Sequence, residues 1–314
     1  MINNTPHLSI VIPVYNSANS IMKLYQRLTD TISLLTNHYE IVFVNDSSGD
    51  DSSNIIHRLA ENDSNVKCID LNKNFGQHNA LLCGIRQAKY EVVVTLDDDL
   101  QNPPEEIPKL LEKLDQGFDV VYGYPKIEKH GIFRNWASVI TKMALKTTMG
   151  VENARNVSAF RVFRTELRDS FTDYKASFIS IDVLLSWGTN SFSAIPVNHE
   201  ERTEGKSNYN FRKLIKHALN MVTGFSVLPL QVASIIGFAL SIFGVFILIY
   251  VLGRYLLQGS PVRGFPFIAS IIAIFSGAQL LAIGIIGEYL ARIHFRTMNK
   301  PQYVIKYQKE TYLE

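Results

Sequence analysis

Residues 92–106 read VVVTLDDDLQNPPEE, and the reading of this stretch decides the fold. The apolar, β-branched run Val92–Leu96 predicts a buried parallel strand. It ends in three consecutive carboxylates, Asp97, Asp98 and Asp99. Like charges at the mouth of a core strand repel one another and destabilise it. A hard divalent cation, Mg²⁺ or Mn²⁺, relieves that repulsion, because it prefers oxygen ligands and uses one or two carboxylates together with substrate phosphates. Strand alternation puts Asp97 and Asp99 on one side and Asp98 on the other. Asp97 and Asp99 are therefore the pair expected to face a metal and a phosphorylated substrate. Taken alone, the triplet has a plainer reading as a solvated acidic loop, with Glu105 and Glu106 favouring the N-terminus of a following helix.

The flanking sequence favours the first reading. Strand patterns at Leu8–Val14, Glu40–Val44, Val66–Leu71, Val92–Leu96 and Val120–Gly123 alternate with helix patterns at Ser20–Leu35, Asp51–Asn62, His78–Ala88 and Pro104–Leu114. This rhythm predicts an α/β fold, a doubly wound and mostly parallel sheet. Ligands of such sheets bind beyond the carboxyl ends of the strands. The polar residues expected there are Pro13, Tyr15 and Asn16, then Asn45 and Asp46, then Asn72, Lys73 and Asn74, then the aspartates. That inventory suits a sugar nucleotide, with carboxylates for hydroxyl and N–H groups and a metal for the diphosphate. No G-x-G-x-x-G follows any strand, which disfavours a dinucleotide-dependent dehydrogenase.

Two charge-free stretches set the remaining architecture. No Asp, Glu, Lys or Arg occurs between Lys216 and Arg254, or between Arg263 and Glu288. Within them, spans at about 232–254 and 265–288 each meet the ~20 apolar residues that cross a bilayer. A link at Gln258–Gly264 joins them as a hairpin, and glycines 237, 244, 277, 284 and 287 are expected to let the helices approach closely. The mean hydropathy of +0.05 thus averages two unlike parts. The expected division is a catalytic domain at 1–225, a membrane domain at 226–290 and a tail at 291–314.

No basic and apolar leader precedes residue 16, so the large domain is expected in the cytoplasm. Arg292, Arg296, Lys300 and Lys306 place the tail there too, while Arg254 and Arg263 near the link are a weaker opposing signal. Segments 131–150 and 208–222 read as interfacial amphipathic helices, the former equally as a helix packed on the sheet. Arg212, Lys213 and Lys216 add attraction to anionic membrane lipids. The formal net charge of +2 makes no case for nucleic acid. Cys68 and Cys83 read as core thiols. A homo-oligomer is left open.

The segments IVIPVYN, VFVNDSSGDDS, NKNFGQHNALLCGI, TLDDDLQNPPEEIP and FRVFR resemble the inverting family 2 glycosyltransferases of GT-A fold. The C-terminal stretch VRGFPFIASIIAIFSGAQLLAIGIIGEYLARIHFRTMNKPQYVI is similar to the two-helix anchor of polyprenyl-phosphate glycosyltransferases. The resemblance implies transfer of a sugar from a nucleotide sugar, UDP-linked, to undecaprenyl phosphate or another polyprenyl phosphate, with Mg²⁺ or Mn²⁺. It implies that Pro13, Tyr15 and Asp46 hold the base and ribose, with Asn16, Lys73, Gly76, Asp97 and Asp98 completing the nucleotide-sugar site. Asp97 and Asp99 match the metal-binding D-x-D pair, and Gln101 a glutamine beside the metal. Arg202 matches an arginine that grips phosphate, and Lys206 is the second cation of that segment.

Two positions depart from the family pattern. Asn208 stands where relatives carry a lysine, and Ala159 where many carry an aspartate, with Glu152 nearby. A lipid phosphate has its second pKa near ~6. It is therefore already largely anionic, and such an acceptor needs no general base. Two other functions stay open on the sequence: a processive polysaccharide synthase, whose Q-x-x-R-W motif and additional membrane helices are missing here, and a non-catalytic membrane scaffold that retains the fold.

Overall fold

The computed structural model describes residues 6–125, 156–176, 179–200, 228–258 and 265–308. Segments 131–150 and 208–222, with Glu152, Arg202, Lys206 and Asn208, lie outside the described residues. The chain divides into two compact units, one of residues 1–214 with 299–314, the other of residues 215–298.

The first unit is built on one sheet. Its strands are β1 (Leu8–Val14), β2 (Tyr39–Asn45), β3 (Val66–Leu71), β4 (Val92–Thr95), β5 (Val120–Pro125), β6 (Arg161–Arg164), β7 (Phe192–Val197) and β8 (Ile305–Gln308). They lie in the order β7-β5-β6-β4-β1-β2-β3-β8. β1 pairs in parallel with β2 and β4, and β2 with β3. β6 runs antiparallel between β4 and β5. Every residue of β1 and β2 is buried, so both faces of the sheet are covered and the strands read as continuous apolar runs.

The helices that cover the sheet are α1 (Ala18–Ser33), α2 (Ser52–Asn62), α3 (Gln77–Gln87), α4 (Ile107–Leu114) and the short α5 (Ile181–Leu185). α1 turns Ile21, Leu24, Leu28 and Ile32 inward, the i, i+3/i+4 stripe of an amphipathic helix. α3 lies unusually close to the sheet because Gly84 has no side chain. A Cβ there would collide with Val11 and Val44.

Strand order places the ligand crevice. The chain runs outward from β1 through β2 to β3, then crosses to β4 on the other side of β1. This reversal between β1 and β4 is a topological switch point, where open α/β sheets bind ligands. β1 pairs Val11 with Thr95, so the turn after β4 runs beside Val14–Ser17.

Three strands were not among the sequence expectations. β6 (RVFR) and β8 (IKYQ) mix charged and polar residues into the strand, and β7 (FSAIPV) holds Pro196, so none shows the unbroken β-branched run that marks β4. β8 alters the picture of the C-terminus. Residues after the second apolar helix, expected as a plain tail, return to the sheet and pair antiparallel with β3, Asp70 opposite Tyr307. The unpaired edge of β3 supplies the partner that makes these residues a strand.

The second unit holds α6 (Leu228–Gln258) and α7 (Phe265–Thr297). Both are long and apolar enough to cross a membrane, over Pro229–Arg254 and Ile274–Thr297. With 31 and 33 residues, they extend ~45–50 Å, more than the ~30 Å of a hydrocarbon core. The expected role of the glycines needs correction. Gly244 meets the ring of Phe275 on the other helix, whereas a Cβ at Gly237, Gly277, Gly284 or Gly287 would point into open space. Of the five glycines expected to allow close approach, Gly244 alone faces the other helix, and it meets the Phe275 ring.

Candidate active site

A cavity of about 230 Å³ opens at the switch point. Its lining comes from the ends of four strands: Pro13, Val14 and Tyr15 at the end of β1, Asp46 after β2, Asn74, Gly76 and Gln77 after β3, and Asp97, Asp98 and Asp99 after β4. Backbone strain clusters around it. Asn16, Ser47 and Leu100 have φ of +56°, +59° and +60°. Such non-glycine conformations cost about 1–3 kcal/mol each and concentrate where a site imposes them.

The acidic turn divides its carboxylates, though not by strand alternation. β4 ends at Thr95, so the pleat does not reach the aspartates. Asp98 is drawn toward β1: Tyr15 N donates to its Oδ2 at 3.2 Å, and Ser17 Oγ donates to the same atom. Burial, with the Asp99 charge adding to it, pushes the Asp98 carboxyl up to about 6 against these two donors. Asp97 accepts from Gln77 Nε2 at 2.6 Å, and Asp99 accepts from Gln101 N at 3.1 Å. No Lys, Arg or His lines this cavity among the described residues. Its surplus of oxygen donors fits a hard divalent cation at Asp97 and Asp99.

Asp46 shapes the loop that faces the aspartates. Its two oxygens accept from Phe75 N and Gly76 N, both at 2.7 Å. Burial raises its pKa, and these two N–H donors oppose the shift. Gly76 sits at φ +93°, the left-handed region that glycine enters without strain, and α3 starts at the next residue. Asp46 thereby fixes the entry of α3 and the position of Gln77 over Asp97.

Of the other predicted residues, Asn16 lies at the rim, its Oδ1 accepting from Gly49 N at 2.7 Å. Lys73 is exposed, its ammonium 5.1 Å above the Phe75 ring, and it does not line the cavity. Gln77 and Ser17 escaped the sequence reading. Neither belongs to a metal-binding pattern, and their roles come from the crossing of loops. Cys68 and Cys83 are both buried, as expected of core thiols.

A separate cluster joins His57, Cys68 and Asp70, whose candidate ligand atoms lie within 4.8 Å of one another. Asp70 is already engaged by His57 Nε2 at 2.6 Å, Asn45 Nδ2 at 2.7 Å and Ser53 Oγ at 3.1 Å. It works as a hydrogen-bond hub under β8, where the His57 and Tyr307 rings lie 4.7 Å apart.

The segment expected to supply Arg202 begins at a pinned point. Glu200 N donates to the carbonyl of Gln101 at 2.9 Å, next to the acidic turn. Arg27 of α1 bridges the Glu200 carboxylate at 2.8 Å and Glu105 at 2.7 Å. Its guanidinium holds both carboxyls below the usual range.

Residues 9–173 match the family described as Glycosyl transferase family 2. The undecaprenyl-phosphate 4-deoxy-4-formamido-L-arabinose transferase of Shewanella sediminis (strain HAW-EB3) is 34% identical over 96% of this chain and 92% of that protein. The enzyme of the same name from Klebsiella pneumoniae (strain 342) is 34% identical over 95% and 92%. Among solved structures, glucosyl-3-phosphoglycerate synthase from Mycobacterium tuberculosis, in complex with Mn²⁺, UDP-glucose and phosphoglyceric acid, aligns with a TM-score of 0.50. That alignment, at 16% identity over 69% of this chain and 78% of the other, bears on fold alone. The family match runs through the strands that frame the switch-point cavity, and the likeness to whole transferases extends along almost the entire chain, so this protein belongs to glycosyl transferase family 2 and is a transferase of GT-A fold.

Proposed function

We propose that the protein transfers a sugar from a UDP-linked nucleotide sugar to undecaprenyl phosphate at the cytoplasmic face of a membrane, with inversion at the anomeric carbon. The observation that carries this reading is the joining, in one chain, of an acidic switch-point cavity to a pair of bilayer-length apolar helices. The names of the 34%-identical relatives point to the same acceptor.

Each residue has a part. Pro13, Tyr15 and Asp46 frame the base and ribose, and Asp97 and Asp99 would hold Mg²⁺ or Mn²⁺. A divalent cation bound there supplies charge neutralisation for the donor diphosphate. Arg202 and Lys206, in the segment that follows Glu200, are the cations we assign to the donor phosphates. The acceptor phosphate is already anionic near neutral pH and attacks without losing a proton to the protein. This makes Ala159 tolerable. Its carbonyl accepts from Thr95 Oγ1 at 2.8 Å, so the position packs against the end of β4 without offering a base. The remaining task is alignment of the two substrates.

The direct test is transfer to undecaprenyl phosphate by purified protein with a panel of UDP-sugars, the 4-deoxy-4-formamido-L-arabinose donor included. One donor is expected to give glycolipid in Mg²⁺ or Mn²⁺, and EDTA is expected to stop it. Undiminished turnover in EDTA would remove the metal from the scheme, and no product with any donor would defeat the reading.

Topology is a separate expectation. The chain leaves the sheet-bearing unit, passes through α6 and α7, and returns to the same sheet as β8. Two spans bring both flanks to one side of the bilayer, and the basic tail favours the cytoplasm. Cys68 and Cys83 are buried, which keeps background labelling low. In intact cells an impermeant maleimide is expected to label Ser260→Cys, in the link, and to reach Thr311→Cys only after permeabilisation. The reverse pattern overturns the orientation.

A further inference from the structure

A second cavity, of about 290 Å³, lies at the other end of α3 from the acidic turn. It is bounded by Arg86, by Thr172, Tyr174 and Lys175, and by residues 299–303, which connect α7 to β8. Three cations line it: Arg86, Lys175 and Lys300. No Asp or Glu lines it among the described residues.

Arg86 is the centre. One terminal nitrogen donates to Gln302 Oε1 at 2.9 Å and reaches Tyr303 Oη at 3.5 Å. The other donates to the carbonyls of Thr172 and Tyr174, both at 3.0 Å. Every one of these partners is neutral. The Arg86 Nε–H is buried and has no partner among the described residues. Arg86 as a whole is half-buried, but an unmet buried donor on its guanidinium carries a desolvation cost. The C-terminal dipole of α3 accounts for one cation in its last turn. It does not account for two lysines arriving from other segments.

We infer that this cavity is a binding site for a phosphate-type oxyanion, one that fastens the returning C-terminal segment to the sheet-bearing unit. A guanidinium with an unmet N–H and two ammonium groups is the donor set that recognises phosphate. Gln302 and Tyr303, already held by Arg86, make the bound state continuous with β8 two residues further on. Two sources share this chemistry: the head group of an anionic phospholipid and free phosphate. This site uses no residue of the acidic cavity, so it stands or falls independently of the proposed transfer.

The test uses the full chain in phosphatidylcholine nanodiscs and reads hydrogen–deuterium exchange at 299–308 and 172–176. Inorganic phosphate is expected to slow exchange there, relative to chloride at equal ionic strength. Phosphatidylglycerol nanodiscs without phosphate form the second arm. Protection by phosphate alone assigns a free anion, by the lipid alone a head group, and by both a site open to either. The Lys175→Ala/Lys300→Ala variant is expected to need at least about tenfold more of the effective anion, the loss of two charge-assisted contacts. Neither lysine has a hydrogen-bond or ion-pair partner among the described residues, so the variant should fold. Unchanged β8 protection without anion checks this. No protection in either arm, or a variant that responds like the parent protein, overturns the site.

Discussion

Asp99→Ala is expected to lower transfer by about 10²–10³-fold, the scale seen when a group that stabilises developing charge is removed. It is expected to leave the sheet-bearing unit folded. The Asp99 hydrogen bond to Gln101 N spans two residues of one turn. Such a bond contributes ~1 kcal/mol. Against that loss stands relief of the negative charge that raises the Asp98 pKa. The melting temperature should therefore stay within a few degrees of the parent or rise slightly. Turnover measured with undecaprenyl phosphate and a thermal melt on the same preparation decide the matter. Near-normal turnover removes Asp99 from the chemistry, and a collapsed fold makes its role structural.

The legible parts of this protein are those whose signal is local. β1 to β4 and the helices between them were marked by apolar runs and i, i+3/i+4 stripes, and they stand within a few residues of expectation. β8 was not marked, because IKYQ becomes a strand only through the free edge of β3. In the site, Asp97, Asp98 and Asp99 announced themselves by their charge at a strand end. The division among them depended on Tyr15 and Ser17 arriving from another loop. Asp46 was read as a nucleotide contact, and the structure adds that both of its oxygens organise residues 75 and 76. Gln77 over Asp97, and Glu200 against Gln101, arise from chain crossings that no spacing in the sequence encodes.

Arg161→Met is expected to have the opposite signature, a large loss of stability. Arg161 is 2% exposed, and its partner Asp182 is 6% exposed. The Arg161 guanidinium is paired directly with Asp182 Oδ1, and Tyr122 Oη donates to the same oxygen at 3.1 Å. Burial and the Asp182 charge hold the Tyr122 pKa far above its usual value, so the phenol stays a donor. Removing the arginine leaves a carboxylate buried with one neutral donor. Breaking a buried pair in this way costs ~3–5 kcal/mol, a large share of the 5–15 kcal/mol that typically holds a domain together. Chemical unfolding followed at the sheet-bearing unit should register that drop, and a loss below ~1 kcal/mol would show the pair to be inessential. Replacing both partners, as Arg161→Met/Asp182→Leu, should recover most of the stability, because no unpaired charge remains. Turnover should not recover with it. Arg161 Nε also donates to Thr95 Oγ1 at 3.1 Å, and that hydroxyl donates to the Ala159 carbonyl at 2.8 Å. Thr95 is the last residue of β4 and lies two residues before Asp97. The double variant thus keeps the core but frees the strand end that aims the acidic turn, separating the stability of the fold from the alignment of its site.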